Sequence, residues 1–462
     1  MIPEPFKHQD EAVAFSASRK FRCAFFMEIG TGKTRAAIES FKKLRLVEPG
    51  ARLLVIAPLS LLEAAWHDDC TKFAPELSFH NLRDGLPNKP ADVLVINFEW
   101  LWQAKNLESL KGLISRNRYL CVIDESSKMK NHKSKTTKLL LMLRNLFPWR
   151  LVMSGTPAPN SEMEYWGQLE FINEGILHPS FFAFRNTFFH LQNRFTGAIR
   201  QGAFISRAEA MEIFKKFDYR ITPLNRAKLM ERIAPHCFLK KKKDCLDLPD
   251  QTDEVRLVRM GVKQAKHYKE MKRDLVTFIQ QHGIESQYAM TKAMKLREIT
   301  AGFAMDEDGT VHEIGETPKM DELLAVLEEA GDSQAIIWCE FRWEVERIMA
   351  LLPGAVSLYG GTKDRDDSIR LFQSGEAKYL VAHPASAAHG LTFVNCSLEV
   401  FYSLSYSWEL HEQARGRIHR AGQVNKCTYV YLLCEDTIDQ AILDALHKKG
   451  SAQDLIYKVT HF

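Results

Sequence analysis

The chain has 462 residues, 45% of them hydrophobic and 26% charged, with a net charge of +4. These values describe a globular protein of two or three domains with a real core, and they exclude a disordered or collagen-like chain. They also exclude a protein that grips nucleic acid over its whole surface, because that needs a more basic balance; local basic patches remain open.

The opening residues, MIPEPFKHQDEA, are polar and lack the apolar core of a secretory signal, and no apolar run is long enough to span a bilayer. A cytoplasmic protein with no membrane partner is therefore expected. Short apolar runs follow at Arg22–Met27, Arg52–Ala57, Asp92–Asn97, Tyr119–Asp124 and Arg150–Ser154, separated by helix-like segments. Such runs, apolar on both faces, predict a parallel sheet buried between helices. From about Ser161 to Thr300 the chain reads mainly helical, and Asp306–Pro318 reads as an acidic surface loop. A second series of strand-like runs occupies Ala335–Glu340, Ala355–Tyr359, Lys378–His383, Leu398–Ser403 and Thr428–Leu433. The fold class is thus α/β, with two such units in one chain. Nine cysteines are scattered through it without a Cys-x-x-Cys pair, most in apolar runs. Buried, reduced thiols are expected, and a zinc site is not.

The end of the first run carries the most specific signal. After Met27 come Glu28, Ile29, Gly30, Thr31, Gly32, Lys33 and Thr34, and then a helix-like stretch. Strand, glycine loop, Lys-Thr and helix is the arrangement that cradles a triphosphate. Glycines let backbone N–H groups approach phosphate oxygens, and the helix N-terminus adds partial positive charge. Lys33 is expected to reach the β and γ phosphates and Thr34 to ligate Mg²⁺. The strict form of the loop has a glycine where Met27 stands, so the match is to a relaxed form; the bland alternative is a glycine turn before a helix. Asp124-Glu125 ends the fourth run, where carboxylates point into the ligand crevice of a parallel sheet. Asp124 is expected to hold Mg²⁺ and Glu125 to orient or deprotonate the attacking water. Ser154-Gly155-Thr156 closes the fifth run and by itself reads as a turn.

These segments resemble, in order, those of the SWI/SNF-type ATPases, the chromatin-remodeller-like branch of helicase superfamily two, from about Phe6 to Lys449. Phe6-Lys7-His8-Gln9 resembles the segment whose glutamine reads adenine, which nominates Gln9. MEIGTGKT resembles the family's DEMGLGKT. IAPLSLLEAAW, with Trp66, and VINFEWL resemble the two segments that follow. DESSKMKN resembles DEAH-x-x-KN, and SGTPAPN resembles TGTP-x-QN. QARGRIHRAGQ, from Gln413 to Gln423, resembles the family's Q-x-x-D-R-x-H-R-x-GQ. The resemblance implies two RecA-like doubly wound lobes with helical insertions between them, ATP with Mg²⁺ as the nucleotide, and DNA as the partner. It also implies that Gln413, Arg417 and Arg420 of the second lobe serve ATP bound on the first, since a planar, permanently charged guanidinium suits a γ-phosphate. If helical, those three residues share a face. Gly390 matches the family's loop and is kept as an ATP-side or coupling residue.

The chain departs from the family at three places. Ser127 stands where a histidine is usual, so coupling between the Asp-Glu segment and Ser-Gly-Thr can differ. Gly416 replaces an aspartate. Pro384, lacking an N–H and a hydroxyl, sits in a loop that usually contacts phosphates.

Two basic stretches, Lys240–Lys243 and Lys263–Arg273, are read either as nucleic-acid contacts or as solvated surface. The expected domains are a lobe over 1–235, a basic connection with a helical protrusion over 236–318, and a second lobe over 319–462. A monomer is expected, and the compactness suits a phage or bacterial protein. The reading that follows is a DNA-dependent ATPase that translocates along duplex DNA. Strand-separating relatives need a wedge, and the 22 residues between Gly390 and Gln413 leave little room for a long hairpin. The alternatives are a strand-separating DNA or RNA helicase, with its wedge in the helical region, and a P-loop kinase or switch, which leaves the second unit unexplained.

Overall fold

The computed structural model describes residues 2–193, 199–200, 217–282, 287–306, 308–315, 317–387 and 391–448. The chain divides into two compact units, Met1–Cys245 and Leu246–Phe462.

The first unit is built on β1 (Arg22–Met27), β2 (Arg52–Ala57), β3 (Phe79–Asn81), β4 (Val93–Asn97), β5 (Tyr119–Ile123) and β6 (Trp149–Met153). A small antiparallel group, β7 (Phe189–Asn193), β8 (Ile199–Arg200) and β9 (Phe217–Ile221), precedes β10 (Cys237–Lys240). The main sheet has the order β10-β1-β6-β5-β2-β4-β3 and is parallel throughout. Alternation along each strand sends residues to opposite faces. Ala24, Phe26, Leu54, Ile56, Leu94, Ile96, Cys121, Ile123 and Val152 enter one core, while Cys23, Phe25, Met27, Leu53, Val55, Val93, Leu120 and Met153 enter the other. Both faces are therefore dry, which is why these strands read as unbroken apolar runs.

The second unit contains β11 (Gln251–Val258), the hairpin β12 (Phe303–Met305) and β13 (Val311–Glu313), then β14 (Ala335–Trp338), β15 (Val356–Leu358), β16 (Tyr379–Ala382), β17 (Leu398–Phe401) and β18 (Cys427–Cys434). Its main sheet is again parallel, with the order β11-β18-β17-β14-β16-β15. Each unit is thus an α/β body around one parallel sheet, the class the two series of apolar runs pointed to.

The helical reading of Ser161–Thr300 needs correction, because β7 to β11 lie inside it. β10 and β11 are edge strands. Along β11 half-buried residues alternate with exposed ones, and Val255 and Leu257 are about half exposed. Continuous apolarity finds strands buried on both faces and passes over such edges. Asp306–Pro318, read as a loop, includes the exposed strand of the β12–β13 hairpin. Helices do fill much of the remainder. In Val262–His282 the buried Gln264, Tyr268 and Leu275 define the inner face, and Lys263, Lys266, Lys269 and Arg273 are exposed.

A buried ion pair ties the second unit together. Lys319 Nζ donates to Asp439 Oδ2 at 2.6 Å, and Asp439 also accepts from the Thr300 hydroxyl at 2.8 Å and the Cys434 N–H at 3.1 Å. Those residues come from three helices and β18. Burial opposes the charge on Lys319, yet Asp439 holds its pKa above the usual lysine value. Removing one partner of such a pair strands the other charge. Lys319→Met is expected to destabilise the second unit by about 3–5 kcal/mol, and Lys319→Met with Asp439→Leu by clearly less. Urea denaturation of both variants checks this; equal losses would contradict it.

Candidate active site

β1 leaves the sheet at Met27, and the helix Lys33–Arg45 begins six residues later. Gly30 and Gly32 take φ of 88° and 80°, a backbone that side chains rarely adopt. Gly32 is also the helix N-cap and offers no side-chain cap, so the first-turn N–H groups remain available to an anion. A Cβ at Gly32 would lie 2.1 Å from Gln9 Nε2. Gln9 and His8, both buried, donate to the Thr31 carbonyl at 3.3 and 2.8 Å, and Gln9 Oε1 accepts the Phe6 N–H at 3.0 Å. The Thr31 hydroxyl donates to Glu28 O at 2.7 Å. Lys33 Nζ folds back over the loop, donating to Met27 O at 3.0 Å and Glu28 O at 3.3 Å. Thr34, half-buried, follows in the first helical turn.

Asp124 comes directly after β5 and is 4% exposed. Its carboxylate accepts the Trp66 indole N–H at 2.9 Å and the Glu125 N–H at 2.9 Å. Burial pushes its pKa up, while Trp66, the Lys33 ammonium and the Glu125 N–H work the other way. Lys33 and Asp124 therefore act on each other electrostatically. Glu125 takes φ 51° and ψ 55°, the left-handed region, at a cost of about 1–3 kcal/mol for a residue with a Cβ. A glycine cradle, a lysine folded over it and a buried carboxylate in its field fit a nucleoside triphosphate and a divalent ion.

The Ser-Gly-Thr turn after β6 packs on that loop. A Cβ on Gly155 would fall 2.6 Å from Ile29 Cγ1 and 3.3 Å from Ile29 N. The Thr156 N–H donates to Ser154 Oγ at 3.1 Å, and the buried Thr156 hydroxyl has no partner among the described residues. A relay joins this turn to the Asp-Glu segment. Ser126 Oγ donates to Gln168 Oε1 at 2.6 Å, and Gln168 Nε2 donates to Pro157 O at 2.5 Å and Glu164 O at 3.0 Å. Ser126 and Gln168 are both fully buried. The sequence drew attention to Ser127 and gave no role to Ser126 or Gln168. Trp66, quoted there without a role, and His8 are further residues of the site that it passed over.

Lys240 ends β10, pairs in register with Met27 and forms an ion pair with Glu11 at 2.7 Å. The Lys242 N–H donates to Glu28 Oε2 at 2.6 Å. The basic run therefore begins beside the glycine loop.

In the second unit the helix Trp408–Arg415 holds Gln413, but it stops before Arg417 and Arg420. The single helical face expected for the three is corrected: Gly416 ends the helix, and the arginines follow in a turn. They still converge. Arg417 Nη1 and Arg420 Nη1 donate to the same carbonyl, Leu391 O, at 2.9 and 2.8 Å. Arg420 also reaches Thr392 Oγ1 at 2.7 Å, and Arg417 Nε donates to Gln413 O at 2.9 Å. Gly390 lies outside the described residues. Pro384 opens the short helix Pro384–Ala387.

The SNF2-related domain matches residues 8–303, and the helicase conserved C-terminal domain matches residues 318–422. The chain belongs to the SNF2-related family. It is an ATP hydrolase of that family. A putative protein, p41, of Acyrthosiphon pisum secondary endosymbiont phage 1 is 24% identical, over 93% of this chain and 92% of its own length. The transcription regulatory protein SNF2 of Saccharomyces cerevisiae is 25% identical over 91% of this chain, which spans 26% of that protein. The RAD54-like DNA repair and recombination protein of Gallus gallus is 23% identical over 96% of this chain and 66% of its own length. The Sulfolobus solfataricus SWI2/SNF2 ATPase core in complex with double-stranded DNA aligns over 97% of this chain and 92% of its own, at 21% identity and a TM-score of 0.45.

Among the described residues Gln168 links Ser126 to Pro157, and its loss is expected to disturb turnover more than nucleotide binding. Gln168→Leu should lower kcat for ATP about tenfold, the effect of one misplaced charge-positioning contact, with KM changed by less than about threefold. A kcat equal to that of the parent would remove Gln168 from the relay.

Proposed function

We propose that this SNF2-related ATPase is a motor that uses ATP and Mg²⁺ to translocate along duplex DNA without separating its strands. The observation that carries the reading is the presence, in one chain, of a glycine-cradled Lys33 acting on Asp124 and an arginine pair gathered on Leu391 O. A kinase or nucleotide switch leaves unexplained a second α/β unit that bears this arginine pair. Similarity to proteins named for work on DNA, among them the RAD54-like DNA repair and recombination protein and a chromodomain-helicase-DNA-binding protein of Danio rerio, supports DNA as the track.

In this mechanism Gln9 holds the adenine and the backbone of Gly30, Thr31 and Gly32 wraps the phosphates. Lys33 swings from its carbonyl acceptors onto phosphate oxygens. The Thr34 hydroxyl and the Asp124 carboxylate would hold Mg²⁺, which when bound would screen phosphate charge. Trp66 keeps Asp124 oriented, and the strained backbone of Glu125 aims its carboxylate at the attacking water, from which it takes a proton. Arg417 and Arg420 stabilise the charge that develops on the transferred group. Glu125→Gln should bind ATP and fail to turn it over, because an amide takes no proton. Lys33→Ala should abolish turnover, and Arg420→Ala should lower it by on the order of 10³. A Glu125→Gln variant hydrolysing ATP at the parent rate would remove Glu125 from the role of base.

The described residues between Leu391 and Gln413 hold one strand, β17, and the start of the helix Trp408–Arg415, and none of them forms a hairpin. Base-pair stacking of about 1.4 kcal/mol per step is not overcome by tracking phosphates alone. DNA should stimulate ATP turnover, with affinity that falls steeply with salt and depends little on sequence. ATP-driven displacement of a third strand from a triplex is expected, with little unwinding of a tailed duplex. The reverse result would favour the strand-separating helicase.

A further inference from the structure

The end of the first sheet opposite the glycine loop carries a second polar concentration, a strand's length or about 20 Å away. A cleft of about 790 Å³ opens there among the N-terminal ends of β1, β5 and β6. Arg22, Arg116, Arg118 and Arg150 line it with Asn117 and Asn145, and no carboxylate does. Its size falls within the range of about 300–1,000 Å³ usual for small-molecule sites.

Three of the four arginines, Arg22, Arg116 and Arg150, have no carboxylate partner among the described residues. Arg22 and Arg150 are register partners on neighbouring strands, a placement in which like charges repel. Arg22 is held by neutral acceptors, Pro148 O at 2.8 Å and Asn173 Oδ1 at 3.4 Å. Arg150 is 4% exposed; its Nη1 donates to the Arg144 carbonyl at 3.4 Å, and its Nε has no partner among the described residues. Burial, then Arg22 and Arg144, push its pKa down to about 10. Glu174, which acts on Arg150 from a distance, is tied to Arg144 at 2.6 Å. Arg116 is exposed and makes no ion pair with a described residue, and Arg118 pairs with Glu48 at 2.8 Å. A buried guanidinium with an orphaned N–H, set among other cations, is stabilised by a polyvalent anion that accepts several hydrogen bonds at once.

We propose that this cleft binds a small phosphate-bearing anion of the diphosphate class, free or as part of a nucleotide, separately from the ATP site. Arg116 and Arg118 form its accessible wall, and Arg22 and Arg150 its floor.

The test titrates pyrophosphate, by calorimetry, into the full chain carrying Lys33→Ala. One saturable site is expected. Arg116→Gln with Arg118→Gln, both exposed, should weaken it at least about tenfold, as loss of charge-assisted hydrogen bonds does, with melting unchanged. Arg22→Gln, on the floor, should weaken it likewise, and ADP should compete if the natural source is a nucleotide. If Lys33→Ala fails to silence the glycine loop, two sites are counted and the arginine variants remove one, so the two readings fail separately. Equal pyrophosphate binding in parent and arginine variants overturns the proposal. So does binding of a short DNA duplex that the arginine variants lose while pyrophosphate binding stays intact.

Discussion

A parallel strand buried on both faces can offer polar groups only where it ends, and the first unit is organised by that restriction. β1, β5 and β6 hold apolar residues along their length and release Glu28, Asp124 and Ser154 at their carboxyl ends. The glycine loop, the acidic pair and the Ser-Gly-Thr turn then meet because the strands are neighbours, in the order β1-β6-β5. Gly155 approaches the backbone of Ile29 so closely that a side chain would not fit. The same restriction acts at the other end of the sheet, where Arg22 and Arg150 are as close as two strands allow.

Buried charge is handled differently in the two units. In the first, Asp124 is held by an indole N–H, a backbone N–H and the field of Lys33, and Lys33 itself rests on carbonyls. Asp124 thus has neutral hydrogen-bond donors in Trp66 and Glu125, an arrangement that suits a site that binds and releases a ligand. In the second, Lys319 and Asp439 are in direct contact and Asp439 also accepts from Thr300 and Cys434. That pair is buried and, with those partners, joins three helices and β18, so it serves the fold.

Strain is placed with equal economy. Glu125 is one of the few residues with a side chain and a positive φ, and it follows the buried Asp124 directly. Its backbone N–H bonds the Asp124 carboxylate, so the contact that satisfies the buried charge also fixes the unusual turn. Ser126 continues this into the core through Gln168, and Gly167, whose Cβ would lie 2.6 Å from Met129 O, lets the helix Tyr165–Ile172 come close enough to make the bond.

The sequence by itself determined the central strands, the glycine loop with Lys33 and Thr34, the Asp124-Glu125 pair and the arginine segment, because each is written in contiguous residues. Unbroken apolarity reports burial on two faces, and glycines ahead of Lys-Thr report a turn that side chains cannot make. Edge strands β10 and β11 escaped it, since one open side removes the continuous signal. Only the tertiary structure decided that the helix stops at Arg415 and that Arg417 and Arg420 meet on Leu391 O instead of sharing a helical face. It alone paired Trp66 with Asp124, 58 residues apart, and Ser126 with Gln168, 42 apart. Hydrogen bonds of that span depend on which strands are neighbours, and neighbour order is a property of the folded sheet that no local pattern of residues encodes.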